Sequence, residues 1–142
     1  MARQTLVLDA SVGVKWFSSK DENGLSQALT IRDEHVAGDV LVAVPDLFYY
    51  EVANALAHKK SIPTKEIQSA LSDLFALGLK TVAVGTALLT ASITLSRQFG
   101  ITIYDSCYIA LAQESASPLV TANPRHQGKS FGCKVISIQE WR

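Results

Sequence analysis

Short, wholly apolar runs alternate along the chain with longer stretches in which apolar positions recur at helical spacing. Residues 5–8 form such a run, ending at Asp9, and read as a buried strand. A helix over 10–17 follows, with Asp9 placed to cap it. A second helix spans 21–36 and ends at Gly38. Residues 41–44 predict a second strand, stopped by Pro45, and Asp46 opens a helix over 46–60. Another helix begins at Thr64 after Pro63, runs to Leu77 and closes at Gly78. Residues 81–84 predict a third strand. The helix over 86–99 has Gly100 at its end, and the one over 104–115 is entered through Thr102. Residues 119–121 and 135–138 complete a set of about five strands. Apolar strands alternating with helices predict an α/β domain whose mostly parallel sheet is covered on both faces. In such sheets ligands bind beyond the carboxyl ends of the strands, so the residues that follow strands deserve inspection.

At 142 residues the chain fits one domain, here taken as 1–142, and it buries enough surface to hold a core unaided. Apolar residues make up 48% and charged residues 18%, which argues against disorder. Thirteen basic and thirteen acidic side chains cancel, which excludes a histone-like basic coat and an acidic tail but leaves room for a local basic groove. The halves differ: residues 1–74 carry a net charge of −3 and residues 75–142 carry +3. Only Asp105, Glu114 and Glu140 are acidic in the second half, so each stands out. Cys107 and Cys133 have neither metal-site nor disulfide-framework spacing and read as reduced thiols. The longest uncharged run, residues 81–96, is too short and too rich in Ser and Thr to cross a bilayer. The start of the chain lacks the apolar core of a signal peptide. The expectation is a soluble, cytoplasmic protein with no membrane partner.

Three carboxylates are candidates for chemistry. Asp9 lies directly after the first strand, where its plain alternative is a helix N-cap. On a helical wheel of about 100° per residue Glu51 falls about 40° from Leu47, between Leu47 and Ala55, at the border of the apolar face. The plain alternative there is a carboxylate reaching back to water. Asp105 falls within an apolar arc formed by Tyr104, Cys107, Tyr108, Ile109, Leu111 and Ala112, with Ser106 and Gln113 on the opposite face. Its alternative is a capping box with Thr102. Inward-facing carboxylates are costly unless paired or bound to a metal. Three of them would suit a hard cation such as Mg²⁺ or Mn²⁺, and that chemistry supports phosphodiester hydrolysis.

Four segments carry a resemblance: VLDASV from Val7, YEVANAL from Tyr50, TIYDSCYIALA from Thr102 and LVTAN from Leu119. Together, in this order, they resemble the motifs of PIN-domain ribonucleases, most nearly the VapC-like toxins of type II toxin–antitoxin pairs. The resemblance covers essentially the whole chain. It implies a three-layer α/β/α sandwich and a metal-dependent endoribonuclease using Mg²⁺ or Mn²⁺. It matches Asp9, Glu51 and Asp105 to the acidic metal-site positions. Asn123 falls at a fourth position that is usually Asp, which keeps one oxygen and loses the charge. Ser11 and Thr121 match positions where a hydroxyl lies beside the metal site, and Asn54 falls one turn from Glu51; local backbone hydrogen bonding is the plain alternative for all three.

Among basic residues, Lys15, Lys59, Lys60, Arg97, Arg125 and Lys129 are candidates for holding RNA. Arg125 and Lys129 are favoured because they follow the fourth strand at the expected ligand edge, where His126 also lies. Trp16, Phe17, Tyr49 and Tyr50 read as core or as a subunit interface. The resemblance further implies an RNA substrate, an antitoxin protein covering the active cleft, and a homodimer. The alternative suggested by Asn123 is a degenerate domain of the same fold that binds RNA or a protein without cutting it. Aspartyl-phosphate chemistry on Asp9 is a third class, weakened because Ser11 stands where such phosphatases carry a second Asp. Nucleotide binding of the Gly-rich kind has no motif to support it.

Overall fold

The computed structural model describes residues 3–18, 23–123 and 130–142. Five parallel strands form one sheet: β1 (Gln4–Leu8), β2 (Val40–Pro45), β3 (Lys80–Val82), β4 (Leu119–Thr121) and β5 (Val135–Ser137). Their spatial order is β3-β2-β1-β4-β5, which puts β1 at the centre. Leu6 pairs with Val42 on one side, and Val7 with Leu119 on the other. Leu6, Val7, Leu8, Val42, Val44 and Val120 are wholly buried. A parallel strand covered on both faces has no wet side, so its sequence is a continuous apolar run rather than an alternating one.

Six helices cover the sheet: α1 (Ala10–Gly13), α2 (Leu25–Ala37), α3 (Leu47–Ala57), α4 (Thr64–Ala76), α5 (Thr86–Phe99) and α6 (Ile103–Glu114). The expected α/β architecture with a parallel sheet of five strands is the one observed. The helix expected over 10–17 is α-helical only to Gly13 and then tightens into a 3₁₀ turn, Val14–Trp16. There Trp16 turns inward and donates from Nε1 to the Ala28 carbonyl at 2.7 Å, tying this turn to α2. The third strand lies one residue earlier than expected at its start and ends at Val82. Asp46 does not cap α3 with its side chain; Oδ2 instead accepts from the Val84 amide at 3.1 Å, joining the ends of β2 and β3.

Two buried polar residues show how the layers are joined. His35 of α2 accepts the Val42 amide at Nδ1, 3.2 Å away, so Nε2 carries the proton and donates to the Leu77 carbonyl at 2.9 Å. Ser92 of α5 donates to the Leu88 carbonyl at 2.7 Å and lies 3.4 Å from the sulfur of Cys107 on α6. Cys107 and Cys133 are both free thiols. Ser106 is buried, contrary to the expected polar face of α6, and Tyr104 is exposed. Ser106 satisfies its hydroxyl on the Thr102 carbonyl at 2.7 Å, which lets a small polar residue sit inside. Tyr49 stacks on Phe75 with ring centroids 4.4 Å apart, while Tyr50 is 77% exposed. Both tyrosines line a groove of about 680 Å³ between α3 and α4. Among the described residues, no helix is long and apolar enough to cross a membrane.

Candidate metal centre

Parallel strands deliver their carboxyl ends to one edge of the sheet. Asp9 comes immediately after β1, and its amide donates to the Val120 carbonyl of β4 at 3.0 Å. Asp9 has extended backbone angles (φ −71°, ψ 147°) at the entry to α1, yet its side chain makes no capping hydrogen bond. The carboxylate is 7% exposed and is held by two hydroxyls instead. Ser11 Oγ donates to Oδ2 at 2.6 Å and Thr121 Oγ1 donates to the same oxygen at 3.0 Å. Each hydroxyl is in turn set by a backbone amide: Ala122 N–H donates to Ser11 Oγ and Asn123 N–H to Thr121 Oγ1, both at 3.0 Å. Four donors in two relays therefore orient one oxygen of Asp9. Oδ1 accepts no hydrogen bond among the described residues.

Glu51 projects from the second turn of α3. Its Oε1 accepts a 2.6 Å hydrogen bond from the phenol of Tyr108 on α6. Burial raises the Glu51 pKa above its ordinary value of 4.5; the Tyr108 hydrogen bond works against this, and the like charges of Asp9 and Asp105 add to the rise. Those two repulsions place Glu51 within electrostatic reach of both Asp9 and Asp105. Tyr108 is 2% exposed, and its own ionisation is pushed far up by burial and by the charges of Glu51 and Asp9. It is therefore a neutral donor. Asp105 sits half-buried in the first turn of α6, where its amide donates to Thr102 Oγ1 at 3.0 Å. That bond is the expected cap from Thr102, and it fixes the helix turn that carries the carboxylate.

The remaining candidates divide. Asn123 is half-buried two residues beyond β4, beside Thr121. Asn54 is exposed, and among the described residues its side chain makes no hydrogen bond to the three carboxylates. Lys15 is 4% exposed, so its ammonium is not a surface contact for RNA. Arg125, Lys129 and His126 lie outside the described residues. Tyr108 was hidden from the sequence because its ring fits the apolar periodicity of α6. The available signal was its hydroxyl, since a buried Tyr O–H needs an acceptor.

Among the described residues, no three His, Cys, Asp or Glu side chains are packed closely enough to hold an ion ready-made. The candidate residues nonetheless offer oxygen throughout: the carboxylates of Asp9, Glu51 and Asp105 and the side-chain carbonyl of Asn123. Such a set fits a hard cation that retains several waters and so does not require direct contact with every carboxylate. One consequence concerns the metal-free chain. A carboxyl whose pKa is raised on folding stabilises the fold when protonated and loses that stabilisation as pH climbs from 4.5 through the raised value. Glu51→Gln should therefore melt higher than the parent at pH 7 in chelator, with the difference vanishing below about pH 4.5, as thermal melts across that range will read.

A family model described as PIN domain matches residues 6–131. No curated relative matches the sequence. Solved structures of similar fold include a toxin–antitoxin complex from Klebsiella pneumoniae, with TM-score 0.68, 18% identity and coverage of 94% of this chain and 97% of that one. A DNA-bound VapBC complex from Salmonella typhimurium has TM-score 0.73 at 11% identity, covering 95% and 98%. A sarcin-ricin-loop-cleaving VapC toxin from Mycobacterium tuberculosis has TM-score 0.63 at 12% identity, covering 80% and 86%. At these identities the likeness is one of fold.

Proposed function

The chain belongs to the PIN domain family, and from that membership we propose that it is a metal-dependent endoribonuclease acting as one domain over residues 1–142. The observation that carries the reading is that Asp9 and Glu51 are each held by hydroxyls through a single oxygen at the carboxyl edge of the sheet, where the charges of Asp9 and Asp105 also bear on Glu51. Asp9 after β1 and Asp105 on α6 both disfavour the charged form of Glu51 on α3, a repulsion that a bound cation would offset. Asp9, Glu51 and Asp105 would hold Mg²⁺ or Mn²⁺, with the Asn123 carbonyl as a neutral fourth oxygen. When bound, such an ion supplies charge against the phosphoryl oxygens and lowers the pKa of a water for in-line attack.

The chain's own residues supply the positioning. Ser11 and Thr121 hold Asp9 through Oδ2 and leave Oδ1 for a cation. Thr102 anchors the turn that carries Asp105. Arg125 and Lys129 are assigned to the RNA backbone, where their loss should weaken binding uniformly across sequences. The toxin–antitoxin complexes of similar fold support a role as the toxin of such a pair, with an antitoxin protein as partner; a homodimeric state and a cytoplasmic location complete the proposal.

Purified chain should cleave single-stranded RNA in millimolar Mg²⁺, lose that activity in EDTA and regain it with Mn²⁺. Cleavage that persists undiminished in EDTA would remove the metal from the mechanism. Asn123 favours one alternative, a domain that holds RNA without cutting it, because the fourth position lacks a charge. Calorimetry separates the two: the nuclease binds Mn²⁺, and the inert scaffold does not.

A further inference from the structure

Glu51 reaches the site from α3, while its hydrogen-bond partner among the described residues stands on α6, fifty-seven residues away in sequence. Tyr108 is buried among core residues of α6, yet its hydroxyl meets the carboxylate of Glu51. It donates to Glu51 Oε1 at 2.6 Å, lies within the field of Asp9, and has the Ala10 backbone N–H aimed at its oxygen. This phenol is the element that joins α6, α3 and the end of β1 at the carboxylate cluster. We propose that Tyr108 is a positioning residue: its O–H fixes one oxygen of Glu51 and leaves the other turned toward Asp9 and Asp105 as a ligand. The proposal rests on the reading of those carboxylates as a metal centre.

The physical case is one of selective orientation. A carboxylate on a half-buried helix face samples several rotamers, and in a metal-free site its like-charged neighbours drive it away. A short hydrogen bond from a neutral donor opposes that repulsion without adding a competing cation. The donor itself is immobile because its ring is packed in the core. Ser11 and Thr121 do the same for Asp9, so two of the three carboxylates each have one oxygen tied and one oxygen left. Groups that orient ligands in this way typically govern metal affinity by about 10–100-fold.

Tyr108→Phe keeps the ring and removes only the hydroxyl. Calorimetric titration with Mn²⁺ should show a Kd about 10–100-fold weaker than that of the parent. In EDTA, the same substitution should lower the melting temperature in the parent but much less in a Glu51→Ala background, where no carboxylate remains to be tied. A role confined to ring packing would leave Mn²⁺ affinity unchanged and would give the same melting shift in both backgrounds. Either result overturns the assignment of Tyr108. Failure of the parent chain itself to bind Mn²⁺ would instead overturn the metal centre, so the two failures are told apart.

Discussion

Replacing Asp9 by Asn should lower RNA cleavage at least about 100-fold while leaving the fold intact. The argument turns on which oxygen the protein already uses. Oδ2 accepts both the Ser11 and the Thr121 hydroxyl, so the asparagine amide will place its carbonyl oxygen there. Its NH₂ group then occupies the position of Oδ1. Two N–H donors face the place where an electron-pair donor is required, and one negative charge is lost. The relays from the Ala122 and Asn123 amides remain satisfied, so stability should change little. Circular dichroism and thermal melts will confirm the fold, and RNA cleavage in Mg²⁺ reads the chemistry. Activity within a factor of a few of the parent would remove Asp9 from the site.

The same residue shows how far the sequence could be read. Its position after an apolar run was legible, because a parallel strand buried on both faces leaves a distinctive continuous stretch. Its role was divided between capping and chemistry, because Asp is equally at home at both. The coordinates argue against the first: the side chain does not cap the helix entry, and the hydroxyls of Ser11 and the distant Thr121 claim it instead. The contact between Asp9 and Thr121 spans 112 positions, and no local spacing rule reports such a pair. Only the resemblance of four ordered segments to a known family brought these residues together beforehand. Ser106 falls on the wrong face, and the hydroxyl of the correctly buried Tyr108 goes unnoticed, for a common reason. A helical wheel assumes one wet and one dry face, whereas α6 is buried from Ser106 to Ala112. On such a helix polarity no longer marks the outside, and a hydroxyl's partner becomes the informative quantity.

Phe48→Ala should be the most damaging single change to the fold, lowering stability by about 3–5 kcal/mol. Phe48 is wholly buried on α3, one turn before Glu51, and packs against Trp16 and edge-on to Tyr49. It also fills the space above Gly13 of α1, where an added Cβ would stand 2.5 Å from Phe48 Cζ. The loss compares with a total of about 5–15 kcal/mol for a domain of ordinary stability, so urea unfolding should show a large drop in midpoint. The pairing with Gly13 makes the cause testable. Gly13→Ala would gain about 1 kcal/mol from helix propensity alone, but overpacking against a wholly buried ring costs about 1–3 kcal/mol, and the packing effect should win. Phe48→Leu shortens the ring's reach, so the double variant Gly13→Ala with Phe48→Leu should be less destabilised than the sum of the two singles. Strict additivity would mean that α1 and α3 do not meet through this contact. Because α1 follows Asp9 and α3 carries Glu51, the contact also sets how two of the three carboxylates face each other, so Gly13→Ala should weaken Mn²⁺ binding although it touches no charged group.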